Sequence, residues 1–166
     1  YKNFRNLIFA YKINKDLNNQ YDLIAFGGGE FTSEEKTFFK EVGLNEDKVI
    51  HESGTDEKLV SFYSSASLFV YPSLYEGFGI PPLEAMSLNC PVACSNTSSI
   101  PEVVGNAAAF FDPQSEKSIS SAIQSVLEDL SYKDLLISRG QNRIKHFSWD
   151  SCSQKTYEIY QKVIKQ

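Results

Sequence analysis

The stretch Tyr71-Pro-Ser-Leu-Tyr-Glu-Gly-Phe-Gly-Ile-Pro-Pro-Leu-Glu-Ala-Met86 reads as a strand end, a glycine-lined turn and a helix start, in that order. Ser67 to Tyr71 is apolar between polar bounds, the pattern of a strand buried on both faces of a parallel sheet. Gly77 and Gly79 let the backbone turn and approach a ligand without a β-carbon in the way. Pro81 and Pro82 then begin a helix that ends near Asn89. Because neither proline carries an N–H, the free donors around this helix start are the amides of Gly77, Phe78, Gly79, Ile80 and Leu83. Two carboxylates, Glu76 and Glu84, stand eight positions apart on either side of the turn.

The same alternation of strand and helix runs outward in both directions. Upstream, Phe4, Leu7, Ile8 and Tyr11 recur at helical spacing. Asp22 to Phe26 reads as a strand ended by Gly27-Gly28-Gly29, and Ser33 as the cap of a helix carrying Phe38, Phe39 and Val42 up to Gly43. A short strand at Lys48 to His51 leads to a helix capped by Thr55, with Leu59, Val60 and Tyr63 on one face. Downstream come a strand at Pro91 to Ser95, a helical turn at Pro101 to Val104 and a strand at Ala107 to Phe111. Ser115, Ser131 and Ser148 open three final helices, the last lined by Trp149, Cys152, Ile159, Tyr160 and Val163.

This rhythm predicts one doubly wound α/β domain around a parallel sheet, Rossmann-like in its connections. The opening helix has no strand to cross over from, so a first strand is expected upstream. The visible strands are then the second to sixth of the order 3-2-1-4-5-6, and Ser67 to Tyr71 is the fourth. That position lies at the switch point where open α/β sheets bind ligands, so topology and local sequence nominate the same place.

With 166 residues, 42% hydrophobic and 22% charged, the chain suits one well-buried core. A net charge of -5 argues against a nucleic-acid partner, which needs a basic patch. Three irregularly spaced cysteines fit a reducing compartment, with cytoplasm the default. No apolar run approaches the roughly 20 residues of a membrane span, and no charged-then-apolar leader opens the chain. Peripheral contact with the inner face of the cell membrane stays open.

Turn amides at the positive end of a helix form an anion site. A carboxylate beside an anion is repelled by it and is suited instead to accept hydrogen bonds from hydroxyls. The pattern therefore fits a ligand that joins phosphates to sugar hydroxyls. Taken singly, Glu76 is one more loop acid and Glu84 a helix-start acid favoured by the dipole; together with the glycines at the switch point they make a site. Thr32 stands where the third glycine of a dinucleotide fingerprint belongs, so Gly27 to Gly29 read as a turn. Cys90 and Cys94 lack a second pair for zinc and read as core thiols. His51 reads as an ordinary strand-end histidine, with a place beside a nucleotide-base pocket as the alternative, and His146 is far from it in sequence.

Glu76 with Glu84, in Tyr-Glu-Gly-Phe-Gly-Ile-Pro-Pro-Leu-Glu-Ala, resembles the E-x7-E signature of the retaining family 4 glycosyltransferases of the GT-B fold. Gly27-Gly28-Gly29-Glu30, Gly54-Thr55-Asp56-Glu57-Lys58-Leu59, Pro91-Val92 and Ile100-Pro101-Glu102-Val103-Val104-Gly105 resemble that family in order and spacing, from Tyr1 to about Trp149. The resemblance implies the C-terminal, nucleotide-sugar-binding half of a two-domain enzyme, residues 1–166 forming one domain. Residues 147–166 would be a helix that packs on an N-terminal acceptor half outside this sequence. It implies transfer of a hexose to a glycan or glycolipid acceptor, as in polysaccharide biosynthesis, with the nucleotide-sugar as substrate and no obligatory metal or other cofactor. By the same resemblance Glu76 would contact the donor sugar and Glu84 the ribose. Lys2, in what looks like the end of a basic motif, would meet the diphosphate; the arginine expected with it is not in this sequence. This portion alone would bind donor weakly and transfer little or nothing. Two alternatives stay open: a phosphorylase or epimerase of the same fold, and a non-enzymatic flavodoxin-like or receiver-like module. The visible strand ends, Phe26-Gly27, His51, Tyr71-Pro72 and Cys94-Ser95, disfavour the second.

Overall fold

The computed structural model describes residues 1–164. Helix α1 (Phe4–Ile13) opens the chain, followed by α2 (Lys15–Gln20) and strand β1 (Leu23–Phe26). Helix α3 (Ser33–Glu41), β2 (Val49–Glu52), α4 (Asp56–Ser65) and β3 (Phe69–Tyr71) continue the alternation. Then come α5 (Ile80–Ser87), β4 (Val92–Ser95), α6 (Ile100–Val104) and β5 (Ala109–Phe111). Helices α7 (Glu116–Glu128), α8 (Leu130–Arg143) and α9 (Trp149–Ile164) follow. Every pairing is parallel, as the alternation requires: Leu23 faces Val49 and Phe26 faces Glu52 in one ladder, and β4 lies between β3 and β5 in the other.

All four residues of β4 are buried, and alternation along the strand sends them to two cores. Ala93 joins Ile8, Phe39, Phe111, Ile119 and Leu136 under α1, α3, α7 and α8. Val92 and Cys94 join Tyr63, Tyr71, Met86, Ile100 and Val104 under α4, α5 and α6. Gly140 of α8 lies so close to Met86 that a β-carbon there would sit 3.0 Å from the Met86 side chain, and Gln141 Nε2 donates to the Met86 carbonyl at 2.7 Å. Helix α5 is thereby pinned from behind by α8. Strands β1 and β3 share no ladder: between them runs a channel of about 880 Å³.

Three local expectations need correction. Thr32, not Ser33, caps α3: its hydroxyl accepts from the Glu35 amide at 3.2 Å while Glu35 Oε2 accepts from the Thr32 amide at 2.8 Å, a reciprocal box that Ser33 cannot form with Lys36. Asp129, not Ser131, caps α8, accepting from the Tyr132 amide at 2.9 Å. Val60 is exposed, so α4 turns Leu59 and Tyr63 inward without it. Helix α2, whose six residues carry one buried side chain, Leu17, has no counterpart in the expected elements. Trp149 and Tyr157 of α9 are exposed.

Candidate functional site

The loop between β3 and α5 leaves the sheet at the carboxyl end of β3, the end at which open α/β sheets bind ligands. Gly79 caps α5 with φ 101° and ψ 60°, a left-handed conformation that side chains resist, and Pro81 and Pro82 follow at once in the first turn. Among the described residues, the amides of Gly77, Phe78, Gly79 and Ile80 donate to no protein acceptor. They form the cluster of orphan donors that a helix start bearing two prolines produces. Leu83 lies within the first turn with its side chain against the core beneath. Phe78 is exposed, its ring set edge-on to Phe147 at 5.8 Å.

A run of hydroxyls after β4 holds this loop. Ser98 Oγ donates to the Glu76 carbonyl at 2.5 Å and accepts from the Glu76 amide at 3.2 Å. Ser99 Oγ reaches the carbonyls of Glu76 and Phe78 at 2.8 and 3.1 Å, and Thr97 Oγ1 that of Leu74 at 3.1 Å. Ser98 itself holds φ 58°, a left-handed strain for a serine. Sequence reasoning passed over these three residues; three consecutive hydroxyls at the carboxyl end of a neighbouring strand are the signal that would have found them.

Glu76 is half-buried and paired with Lys2, whose Nζ donates to Oε1 at 2.8 Å. Lys2 Nζ also lies 5.3 Å from the centre of the Tyr71 ring. Burial opposes ionisation of Glu76, but the Lys2 ammonium, with the neighbouring Ser73 and Tyr71 hydroxyls, outweighs it and holds the carboxyl below its ordinary range. The Ser73 hydroxyl is buried beside this cluster without a partner in good hydrogen-bond geometry. Burial first, then the Glu76 carboxylate, pushes the Tyr71 phenol far up. Glu84 is exposed on α5 and stands against buried Tyr63, whose phenol is likewise raised by burial and then by Glu84. Each acid of the pair thus has a buried tyrosine at its side, Tyr71 for Glu76 and Tyr63 for Glu84.

The remaining candidates fall elsewhere. His51 Nε2 lies 3.2 Å from the Gly27 carbonyl and its ring packs edge-on against Phe31, a strand-end histidine at the first glycine turn. Gly27 and Gly28 hold positive φ with open space around them. Cys90 and Cys94 are buried, and burial pushes their thiols up to about 11 and about 12. Among the described residues no helix is long and apolar enough to cross a membrane.

A family described as glycosyl transferases group 1 matches residues 1–143. The O-antigen chain mannosyltransferase B of Escherichia coli is 39% identical over 161 residues, a match that takes in 96% of this chain and 42% of that protein. The chain therefore spans about two fifths of this relative's length. Among solved structures, a sucrose-phosphate synthase from Thermosynechococcus elongatus superposes with a TM-score of 0.83 at 24% identity, over 98% of this chain and 42% of the other. The Anabaena protein HepE, solved in complex with UDP, gives 0.83 at 19% identity, over 98% of this chain and 46% of the other. These structures establish the fold: an α/β domain of the GT-B glycosyltransferase type.

Proposed function

The chain belongs to the group 1 glycosyl transferases, and from that premise we propose that it is the donor-binding half of a retaining, family 4 hexosyltransferase. The donor is a nucleoside-diphosphate sugar, and mannose is the first hexose to test, given the mannosyltransferase relative. The diphosphate lies on the orphan amides of Gly77, Phe78, Gly79 and Ile80, at the positive end of α5 beside Leu83. Lys2 leaves Glu76 for the phosphates, and Glu76, so released, accepts from the hydroxyls of the hexose while Glu84 accepts from the ribose. Amides and ammonium together stabilise charge on the departing diphosphate, a task that needs no resident metal. The acceptor is a glycan or glycolipid, brought by an N-terminal half that meets the apolar face of α9. The enzyme works in the cytoplasm, at the inner face of the membrane where such acceptors are assembled.

The observation that carries this reading is the conjunction at one helix start of unpaired amides, a lysine and two flanking acids. Titration calorimetry on the full-length protein with GDP-mannose and UDP-glucose tests it. One donor should bind, Glu84→Ala should weaken it by at least about tenfold, which is about 1.4 kcal/mol, and Glu76→Ala should abolish transfer of labelled hexose. Binding of neither donor, or transfer indifferent to Glu76, would sink the reading.

A further inference from the structure

Three serines are buried among the described residues, Ser73, Ser95 and Ser120, and two of them have partners for their hydroxyls. Ser95 Oγ donates to the Tyr71 carbonyl at 3.4 Å, and Ser120 Oγ accepts from Asn14 Nδ2 at 3.3 Å. Ser73 differs: its side chain is wholly buried and, among the described residues, its Oγ meets no partner in hydrogen-bonding geometry. A buried hydroxyl left unmet is destabilising, because folding strips its water and returns nothing. Alanine would avoid that cost, so the hydroxyl calls for a use that arises only when its surroundings rearrange.

Ser73 stands two residues past the end of β3 and three before Glu76. The backbone on both sides of it is tied to residues 1–3: Asn3 Nδ2 donates to the Pro72 carbonyl at 3.1 Å, and the Leu74 amide donates to the Tyr1 carbonyl at 2.8 Å. Lys2 lies between those two ties and reaches Glu76 Oε1 with its Nζ at 2.8 Å. Beyond Glu76, the hydroxyls of Ser98 and Ser99 hold the Glu76 carbonyl at 2.5 and 2.8 Å, so the backbone under the carboxylate is fixed and its side chain alone can turn. Three polar side chains favour the ionised Glu76 carboxyl: the Lys2 ammonium and the hydroxyls of Ser73 and Tyr71. They differ in freedom. Lys2 is half exposed on a flexible stem, whereas the Ser73 Oγ is held in place and only its hydrogen rotates.

We infer that Ser73 is a positioning residue for Glu76: when the Lys2 ammonium leaves the carboxylate, the Ser73 hydroxyl donates to it in the ammonium's place and keeps it aimed at the ligand. This role rests on the donor site proposed above, where a diphosphate draws Lys2 away and Glu76 accepts from the hexose hydroxyls. An ionised carboxylate offers about four lone-pair sites, so it can take the Ser73 hydrogen and still accept from the sugar. Without a fixed donor, a half-buried carboxylate that has lost its ammonium would turn away or take up a proton. The hydroxyl is unmet before the exchange and satisfied after it, so its hydrogen bond favours the donor-bound state alone.

Ser73→Ala in the full-length protein separates this role from a structural one. Its melting midpoint should stay at or above that of the unaltered protein, because an unmet hydroxyl is removed. By calorimetry, whichever of GDP-mannose and UDP-glucose the unaltered protein binds should bind the variant roughly ten- to a hundredfold more weakly, the worth of one hydrogen bond to a charged group. The matching diphosphate, GDP or UDP, has no hexose for Glu76 to hold and should bind both proteins equally. A clear fall in the melting midpoint, an unchanged donor affinity, or an equal loss for donor and diphosphate overturns the inference. A second measurement needs no donor: by carbon-detected NMR, Glu76 should titrate at higher pH in Lys2→Ala/Ser73→Ala than in Lys2→Ala, since the remaining hydroxyl favours the ionised form. Equal titration in the two overturns the inference whatever the donors do. If neither donor binds the unaltered protein but the titrations differ, the donor reading falls and the exchange of Lys2 for Ser73 at Glu76 stands.

Discussion

Lys2 Nζ and Glu76 Oε1 lie 2.8 Å apart although 74 positions separate them in the chain, because the entry to α1 and the exit from β3 meet at the same end of the sheet. The pair sets an ammonium against the carboxylate that immediately precedes the orphan amides of α5. Lys2→Ala should raise the pH at which Glu76 titrates, since it removes the main group that keeps the carboxyl below its ordinary range against the opposing effect of burial. A carboxylate with a depressed folded value stabilises the fold above its unfolded value of about 4.3, and that contribution is lost as pH falls through the folded value. Carbon-detected NMR titration of Glu76 in both proteins reads the shift directly. With half of Lys2 in solvent, the stability cost of Lys2→Ala should stay under about 1 kcal/mol.

Ser99→Ala removes one hydroxyl that serves two carbonyls, those of Glu76 and Phe78. It should cost about 1–2 kcal/mol, and for a chain of this size each kcal/mol lowers the melting temperature by about 2–4 °C. Ser99→Thr keeps the hydroxyl and should recover most of the loss. Calorimetric melting of the three proteins checks this; an unchanged melting temperature in Ser99→Ala would mean the loop is held by Ser98 and Thr97 alone.

What could be read from the sequence was whatever depended on nearby residues. The strand, glycine turn and proline-led helix at 71–86 follow from local chemistry, and the parallel sheet follows from the alternation they begin. The T-x-x-E of Thr32 and Glu35 is equally local, and it outcompetes the adjacent Ser33 because the glutamate three residues on completes the box. Other features have no local signature. Helix α2 is short and polar, and is held by Asn14, which caps it and also reaches Ser120 and Gln124 of α7 across more than a hundred positions. The Lys2–Glu76 pair and the hydroxyl run at Thr97 to Ser99 likewise exist only once β3, β4 and the chain's start are brought together.

Thiol chemistry should single out one cysteine of three. Cys90 and Cys94 are buried, and burial holds both thiols protonated well above neutral pH, whereas Cys152 is exposed on α9. Ellman's reagent should therefore titrate one thiol rapidly in the native protein and all three after denaturation. Rapid reaction of two or three native thiols would show that the core around β4 opens on the timescale of the assay.

Two glycines two apart in sequence, Gly77 and Gly79, should respond unequally to alanine. Gly79 holds φ 101°, and although a β-carbon there would meet Tyr71 and Ile100 only at ordinary contact distances of 3.9 and 4.0 Å, the backbone conformation itself is strained for any L residue. Gly79→Ala should cost about 1–2 kcal/mol and relax the α5 start, turning the Ile80 amide away from its neighbours. Gly77 has no positive φ and open space around its β position, so Gly77→Ala should leave stability within about 0.5 kcal/mol. Chemical denaturation of both variants separates the two cases. Because Gly77 is itself one of the residues whose amides would cradle a diphosphate, a methyl group there should weaken donor binding without touching the fold, whereas Gly79→Ala should impair both. Equal stability losses in the two variants would show that crowding, not backbone conformation, sets the glycine requirement of this turn.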